Sequence, residues 1–174
     1  SREPGWLYYH GRRTALIALD LRSRMKLKVN PDILYAAGLF HDIGKGNKPH
    51  SDIGAVMTWQ LLADCCAGEE LEAVCNLVRK HNQRGNPEET DDVKLIQDAD
   101  LIDHVGLIGP WLAFYWSGVH NETIDDNVRF INGDENSRYR RGMFDLLNYR
   151  LSRRIFKERL AYEERFFKDF HRVY

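Results

Sequence analysis

The sequence predicts an all-α chain, a single-domain bundle of several helices with a long helix at its C-terminal end. Three observations carry this: apolar residues recur at helical rather than alternating spacing, helix-start and helix-stop residues punctuate them, and no run shows strand-like alternation. At 174 residues and 43% hydrophobic content, one domain with a sizeable core is expected. The core is expected over about 6–117 and a helical extension over about 134–172.

The first helix is expected from about Gly5 to Leu27, with His10, Thr14, Ile17 and Leu21 on one face. Asn30 then offers a cap and Pro31 a first helical residue whose missing N–H costs nothing. This second helix should run through Ile33, Leu34, Ala37 and Leu39 to His41 and end near Gly44. A polar loop, 45–49, leads to a third helix from about Ser51 to Cys66. Ala67 and Gly68 separate it from a fourth, which carries Leu71, Val74, Cys75 and Val78 and delivers His81 at its end. Residues 82–87 read as loop. Thr90 is expected to cap a fifth helix holding Val93, Leu95, Ile96, Ala99 and Ile102, with Pro110 bending or ending it. Residues 118–136 have few periodic apolar positions and are expected as loop with one short helix. The last helix is expected from about Arg141 to Phe170, with Leu147, Leu151, Ile155, Phe156, Leu160, Phe167 and Phe170 along an apolar stripe and a charged, solvated opposite face.

Charge and cysteines narrow the function classes. A formal net charge of -1 argues against a general binder of nucleic-acid polymers or anionic membranes. No apolar run reaches the length of a membrane span, and the first residues lack a signal-peptide pattern. Cys65, Cys66 and Cys75 form neither a disulfide framework nor a zinc-type pair, so reduced core thiols in a cytoplasmic protein are expected.

The chemistry concentrates in Leu39-Phe40-His41-Asp42-Ile43-Gly44-Lys45-Gly46. An imidazole and a carboxylate side by side can ligate one ion only where the helix ends, because adjacent side chains in mid-helix diverge by about 100°. His10 lies upstream, His50 and His81 downstream, and Asp100 follows in Gln97-Asp98-Ala99-Asp100-Leu101-Ile102-Asp103. A mixed nitrogen and oxygen set suits a divalent transition metal, with Zn, Mn and Fe all admissible.

These residues resemble the HD-domain metal-dependent phosphohydrolases, in the form of small bacterial members with His-Asp-Ile-Gly. The family signature, a histidine in the first core helix, a His-Asp pair and a later aspartate, falls on His10, His41, Asp42 and Asp100. His50-Ser51-Asp52-Ile53-Gly54-Ala55 resembles a second-histidine segment of several subfamilies. Residues 98–103 resemble the Asp-Ala-Asp-Arg-Leu-Asp segment of members thought to hydrolyse nucleotides, with Leu101 in place of the arginine. The His-Asp-x-x-Glu-Asp form of alarmone hydrolases and the Gly-Tyr-Pro motif of cyclic-dinucleotide phosphodiesterases are absent.

The resemblance implies an intra-bundle site holding one or two divalent ions, among Mn, Fe, Zn, Mg, Co and Ni, and hydrolysis of a phosphorylated small molecule, foremost a nucleotide, by metal-activated water. His10, His41, Asp42 and Asp100 are the implied ligands. His50 and His81 either complete a second ion position bridged by Asp42 or act as proton donors and phosphate contacts. Lys45 is placed to neutralise phosphate oxygens, against the plainer reading of a solvated loop lysine. Asp103 could orient a ligand histidine or the water, while Asp98 is expected to face away. His104 reads either as an outer support of the site or as a packed histidine, and His120 and His171 as solvent-exposed. Arg13 and Arg84 could bind phosphate but stay outside the site. Trp111, Phe114, Tyr115 and Trp116 could stack on a base or pack against the last helix. A homo-oligomer is compatible with the sequence. Two other functions remain open: a di-iron oxygenase on the same six ligands, and a non-catalytic nucleotide sensor.

Overall fold

The structure is a computed structural model that describes residues 5–173. The all-α expectation holds: among the described residues there are nine helices and no strand. They are α1 (Trp6–Met25), α2 (Pro31–Phe40), α3 (His50–Leu62), α4 (Gly68–Lys80), α5 (Asp91–Asp103), α6 (Ile108–His120), α7 (Ile124–Ile131), α8 (Asp134–Asp145) and α9 (Arg150–Val173). No described helix is long and apolar enough to cross a membrane. The chain divides after Asp100 into two compact units.

In the N-terminal unit, α1 and α2 meet at backbone distance. A Cβ at Gly11 would stand 2.2 Å from the Leu39 carbonyl oxygen, and one at Gly38 would stand 2.6 Å from Ala15 Cα. Only glycine permits that approach, and Ala15, Ala18, Leu21, Leu34 and Ala37 close the core around it, all fully buried. The Asn30 cap is realised, since its carboxamide oxygen accepts from Asp32 N at 2.9 Å and Pro31 opens α2. α2 ends at Phe40, earlier than the Gly44 expected from sequence. Three-residue turns take over, with Ile43 N donating to Phe40 O and Lys45 N to Asp42 O. α3 begins one residue early, at His50, and stops at Leu62 rather than Cys66, where Cys65 N donates to Leu62 O in a tighter turn. Its close approach to the loop depends on Gly44, whose Cβ would lie 2.1 Å from His50 O. α4 buries Leu71, Val74, Cys75, Leu77 and Val78. Thr90 immediately precedes α5, its carbonyl accepting from Lys94 N at 3.0 Å while its hydroxyl donates to the Asp92 carboxylate. The expectation of core thiols holds for Cys75 alone; Cys65 is exposed and Cys66 half-buried.

In the C-terminal unit, Pro110 does not end α5. It occupies the first turn of α6, where its lack of an N–H is harmless, and the chain turns instead at Gly106, φ +97°. Residues 118–136 are not mainly loop, since α7 and the start of α8 lie there. α7 is opened by a capping box in which Asp126 N donates to Thr123 Oγ1 and Thr123 N donates to the Asp126 carboxylate. The expected helix from 141 to 170 is two helices, broken at 146–149, where the Arg153 guanidinium donates to Leu147 O at 2.9 and 3.2 Å. α9 remains the longest helix, and its buried line is Ser152, Phe156, Glu163 and Phe167. Leu151 and Ile155 are only half-buried.

Candidate metal centre

Each candidate ligand comes from a helix or helix end of the N-terminal unit. His10 sits in α1 and stacks on Trp6, with ring centroids 5.5 Å apart. The Gly11 and Gly38 contact brings α1 against α2, and so His10 against His41: their Nε2 atoms lie 3.1 Å apart. Asp100, in α5, places Oδ1 3.2 Å from His10 Nε2 and 3.5 Å from His41 Nε2. Asp42 follows His41 in the first turn after α2, and its Oδ2 lies 3.8 Å from His10 Nε2 and 4.0 Å from His41 Nε2.

The other oxygen of Asp42 faces a second group. Oδ1 is 3.5 Å from His50 Nε2 and 3.6 Å from His81 Nε2, and those two nitrogens are 3.3 Å apart. Two triads therefore share one neighbourhood, His10, His41 and Asp100 on one side and Asp42, His50 and His81 on the other, with the donor atoms of each within 4.8 Å of one another. His10, His41, Asp42, His81 and Asp100 are all buried, while the His50 side chain is 26% exposed and marks the solvent side.

Hydrogen bonds fix how two of the imidazoles point. His41 Nδ1 is 2.8 Å from Gly38 O and His81 Nδ1 is 2.7 Å from Val78 O. A carbonyl only accepts, so Nδ1 carries the proton in both rings, and the neutral rings present Nε2 lone pairs to the cluster. Lone pairs and carboxylate oxygens crowded together repel one another until a cation sits among them. The donor chemistry thus fits a divalent ion on either side of Asp42.

Electrostatics agree with this arrangement. Burial pushes the Asp42 carboxyl upward, but its close neighbours His81 and His41 and the Lys45 ammonium outweigh it and hold Asp42 well below the usual carboxylate range. Lys45 Nζ lies 2.9 Å from Asp42 Oδ2 and 3.2 Å from Oδ1, with its side chain 41% exposed. His50 is pushed below its ordinary value, first by burial and then by the neighbouring His81 and Lys45, so its neutral form prevails near neutral pH.

Arg84, set aside on sequence grounds, is part of this neighbourhood: its guanidinium pairs with Asp100 Oδ2. Its side chain is 19% exposed and its Nε is a buried donor with no hydrogen-bond partner. A basic residue in a polar loop carries no mark of this, so no sequence signal could have separated it from a surface arginine. Arg13 lies over the Trp6 ring, 5.4 Å from its centroid. Asp98 and Asp103 are buried but belong to neither triad, and Asp103 lies in the last turn of α5, in the C-terminal unit.

The C-terminal unit has a polar interior of its own. Glu163 of α9 is 5% exposed, pairs with Arg140 of α8 and accepts from Gly106 N at 2.9 Å. Burial pushes its carboxyl above the ordinary value against the opposing pull of Arg140 and the Gly106 N–H. Glu163 and Arg140 line a cavity of about 820 Å³ together with His104, Tyr115, Trp116 and Asn127. His104 lies just past the end of α5, so the same-face argument from Asp100 does not apply to it. Phe114 packs against Phe166, Phe167 and Phe170 of α9. His120 is exposed as expected and stacks on Trp116. His171 is half-buried against Phe167 and Phe170 rather than solvent-exposed.

Comparison with known proteins places this geometry. The family model described as HD domain matches residues 7–104, which contain all six donors. Over 95 residues, 53% of the chain, it is 37% identical to Ribonuclease Y of Borreliella afzelii and equally to that of Borreliella burgdorferi. The chain spans 18% of the length of those relatives. Among solved structures it resembles Bacillus subtilis YpgQ in complex with ADP, with TM-score 0.68 and 18% identity over 97% of this chain and 93% of that one. It also resembles an HD-superfamily hydrolase from Bacillus thuringiensis, with TM-score 0.68 and 21% identity over 99% and 88%. At these identities the structural likeness speaks for the fold alone.

Proposed function

This chain belongs to the HD-domain family, and on that premise we propose that it is a metal-dependent phosphohydrolase acting on a nucleotide or another small phosphate ester or anhydride. The observation that carries the reading is the split presentation of Asp42, one oxygen toward His10 and His41 and the other toward His50 and His81. It favours two ion positions that share Asp42. His10, His41, Asp42 and Asp100 would hold one ion, and Asp42, His50 and His81 the other. A divalent ion bound there supplies Lewis acidity toward a phosphoryl oxygen and a water acidified toward neutral pH.

The side chains do the rest. The Nδ1–H bonds of His41 and His81 to backbone carbonyls hold both rings in the tautomer that offers Nε2. His50, neutral near pH 7, offers Nε2 from the solvent side of the cluster. Lys45 stands at the same rim, where its ammonium can leave Asp42 for a phosphate oxygen as negative charge develops. A nucleotide substrate is supported by the ADP complex of the structurally similar YpgQ, and phosphodiester chemistry by the likeness to Ribonuclease Y.

His41→Ala and Asp42→Ala test the reading against a nucleotide panel. Each should lose bound metal and phosphate-bond hydrolysis together, and either variant retaining full activity after stripping and reloading would refute the site. The six donors could equally hold two irons for oxidation chemistry. Dioxygen uptake with an organic substrate, without hydrolysis across the panel, would overturn the hydrolase reading.

A further inference from the structure

Two side chains outside both triads tie them together through one face of α5. Gln97 and Asp100 are three residues apart and so lie on the same face of the helix. Gln97, 1% exposed, donates from Nε2 to Lys80 O at 3.0 Å and to Gln83 O at 3.1 Å. Those carbonyls flank His81 at the point where α4 ends. One helical turn on, Asp100 Oδ2 takes the Arg84 guanidinium while Oδ1 faces His10 and His41. The segment 80–84 is thus held to α5 at both of its ends, with His81 inside the span.

The two holds act on different donors. Gln97 fixes the turn that carries His81, whose Nε2 reaches Asp42 Oδ1 at 3.6 Å. Arg84 occupies one oxygen of Asp100 and so sets the rotation of the carboxylate that directs the other oxygen at the histidines. Groups that hold a ligand through a hydrogen bond tune both its orientation and its affinity for the ion. We propose that Gln97 and Arg84 are positioning residues that set the geometry of the two halves of the metal cluster, Gln97 through His81 and Arg84 through Asp100. The assignment of separate halves rests on the two-ion reading above.

The alternative role for Gln97 is a plain structural one, satisfying the last carbonyls of α4. That role would lower the unfolding midpoint and leave the folded protein's ion affinity alone. The test is Mn²⁺ binding by calorimetric titration of the chelator-stripped full chain, with His81→Ala and His10→Ala as references for the loss of each position. Gln97→Met should weaken the position lost in His81→Ala by about 10- to 100-fold, and Arg84→Gln should weaken the position lost in His10→Ala by a similar factor. Arg84→Lys should recover part of the loss, since a single point charge replaces the planar fork. Unfolding of the stripped variants reports folding separately, and if Gln97→Met does not fold, the Arg84 pair carries the test alone. Wild-type affinity at both positions in folded variants overturns the proposal. If the wild type binds one ion only, the two-ion reading falls. The positioning role then stands only if both variants still weaken that ion, and it falls if neither does.

Discussion

Gly11→Ala is the sharpest probe of how the sequence builds the centre, because two effects of opposite sign compete there. In a helix interior, alanine is favoured over glycine by about 0.5–1 kcal/mol, so a site with room would be stabilised. At Gly11 there is no room. The new Cβ would stand 2.2 Å from Leu39 O, about 1.2 Å inside the 3.4 Å of ordinary contact, and 3.0 Å from Leu39 C, both backbone atoms that cannot rotate away. Forcing such a contact costs about 1–3 kcal/mol, more than the propensity gain. Near the middle of both ranges, the net loss of about 1–2 kcal/mol lowers the melting temperature by roughly 2–8 °C for a chain of this size. Because His10 adjoins Gly11, separation of α1 from α2 also lengthens the 3.1 Å spacing of His10 and His41, so metal affinity falls as well. Gly142→Ala in α8 is the control, with nothing within 4 Å of its Cβ, and should raise stability by about 0.5–1 kcal/mol. Calorimetric melting of the stripped and loaded proteins reads both. A melting temperature for Gly11→Ala at or above wild type, with unchanged metal affinity, refutes the close approach as the origin of the site.

Two further outcomes follow from the electrostatics. Lys45→Met should lower turnover by about 10²-fold, the scale for losing one stabiliser of developing charge. Metal affinity should be unchanged or tighter, because a competing cation leaves Asp42; a parallel loss of metal would place Lys45 among the supports of the site instead. Glu163 gives a pH signature. Its carboxyl is raised in the folded chain, so the folded state keeps the proton to higher pH than the unfolded state, and its stabilising contribution is complete below the unfolded value and lost as pH rises through the folded one. In urea unfolding between pH 4 and 7, the stability of wild type relative to Glu163→Gln should therefore decline as pH rises, and a rising difference contradicts the burial argument.

The sequence was most legible where local chemistry decides. Asn30 and Pro31 mark the start of α2 because a cap and a first-turn proline are local devices, and the structure realises both. The His41-Asp42 pair pointed to the end of a helix because adjacent side chains converge only there, and α2 ends one residue before it. Legibility failed where tertiary context decides. α7 and the first half of α8 are too short to show a sustained apolar period, and the Thr123 and Asp126 capping box is a local signal for α7 alone. Charged positions on α9 read as solvated, so Glu163 was hidden; its burial depends on Arg140, 23 residues away. Arg84 and Gln97 were opaque for the same reason, since the partners that give them meaning lie 14 to 17 residues distant in the chain.

The most direct measurement is a Mn²⁺ titration of the chelator-stripped wild-type chain that follows hydrolysis of a nucleotide panel at each addition. The expected result is no hydrolysis in the stripped protein and activity on at least one nucleotide that grows to a plateau at two ions per chain. Hydrolysis that survives stripping, or none at any metal load across the panel, would contradict the assignment of the clustered histidines and aspartates as the centre of a phosphohydrolase.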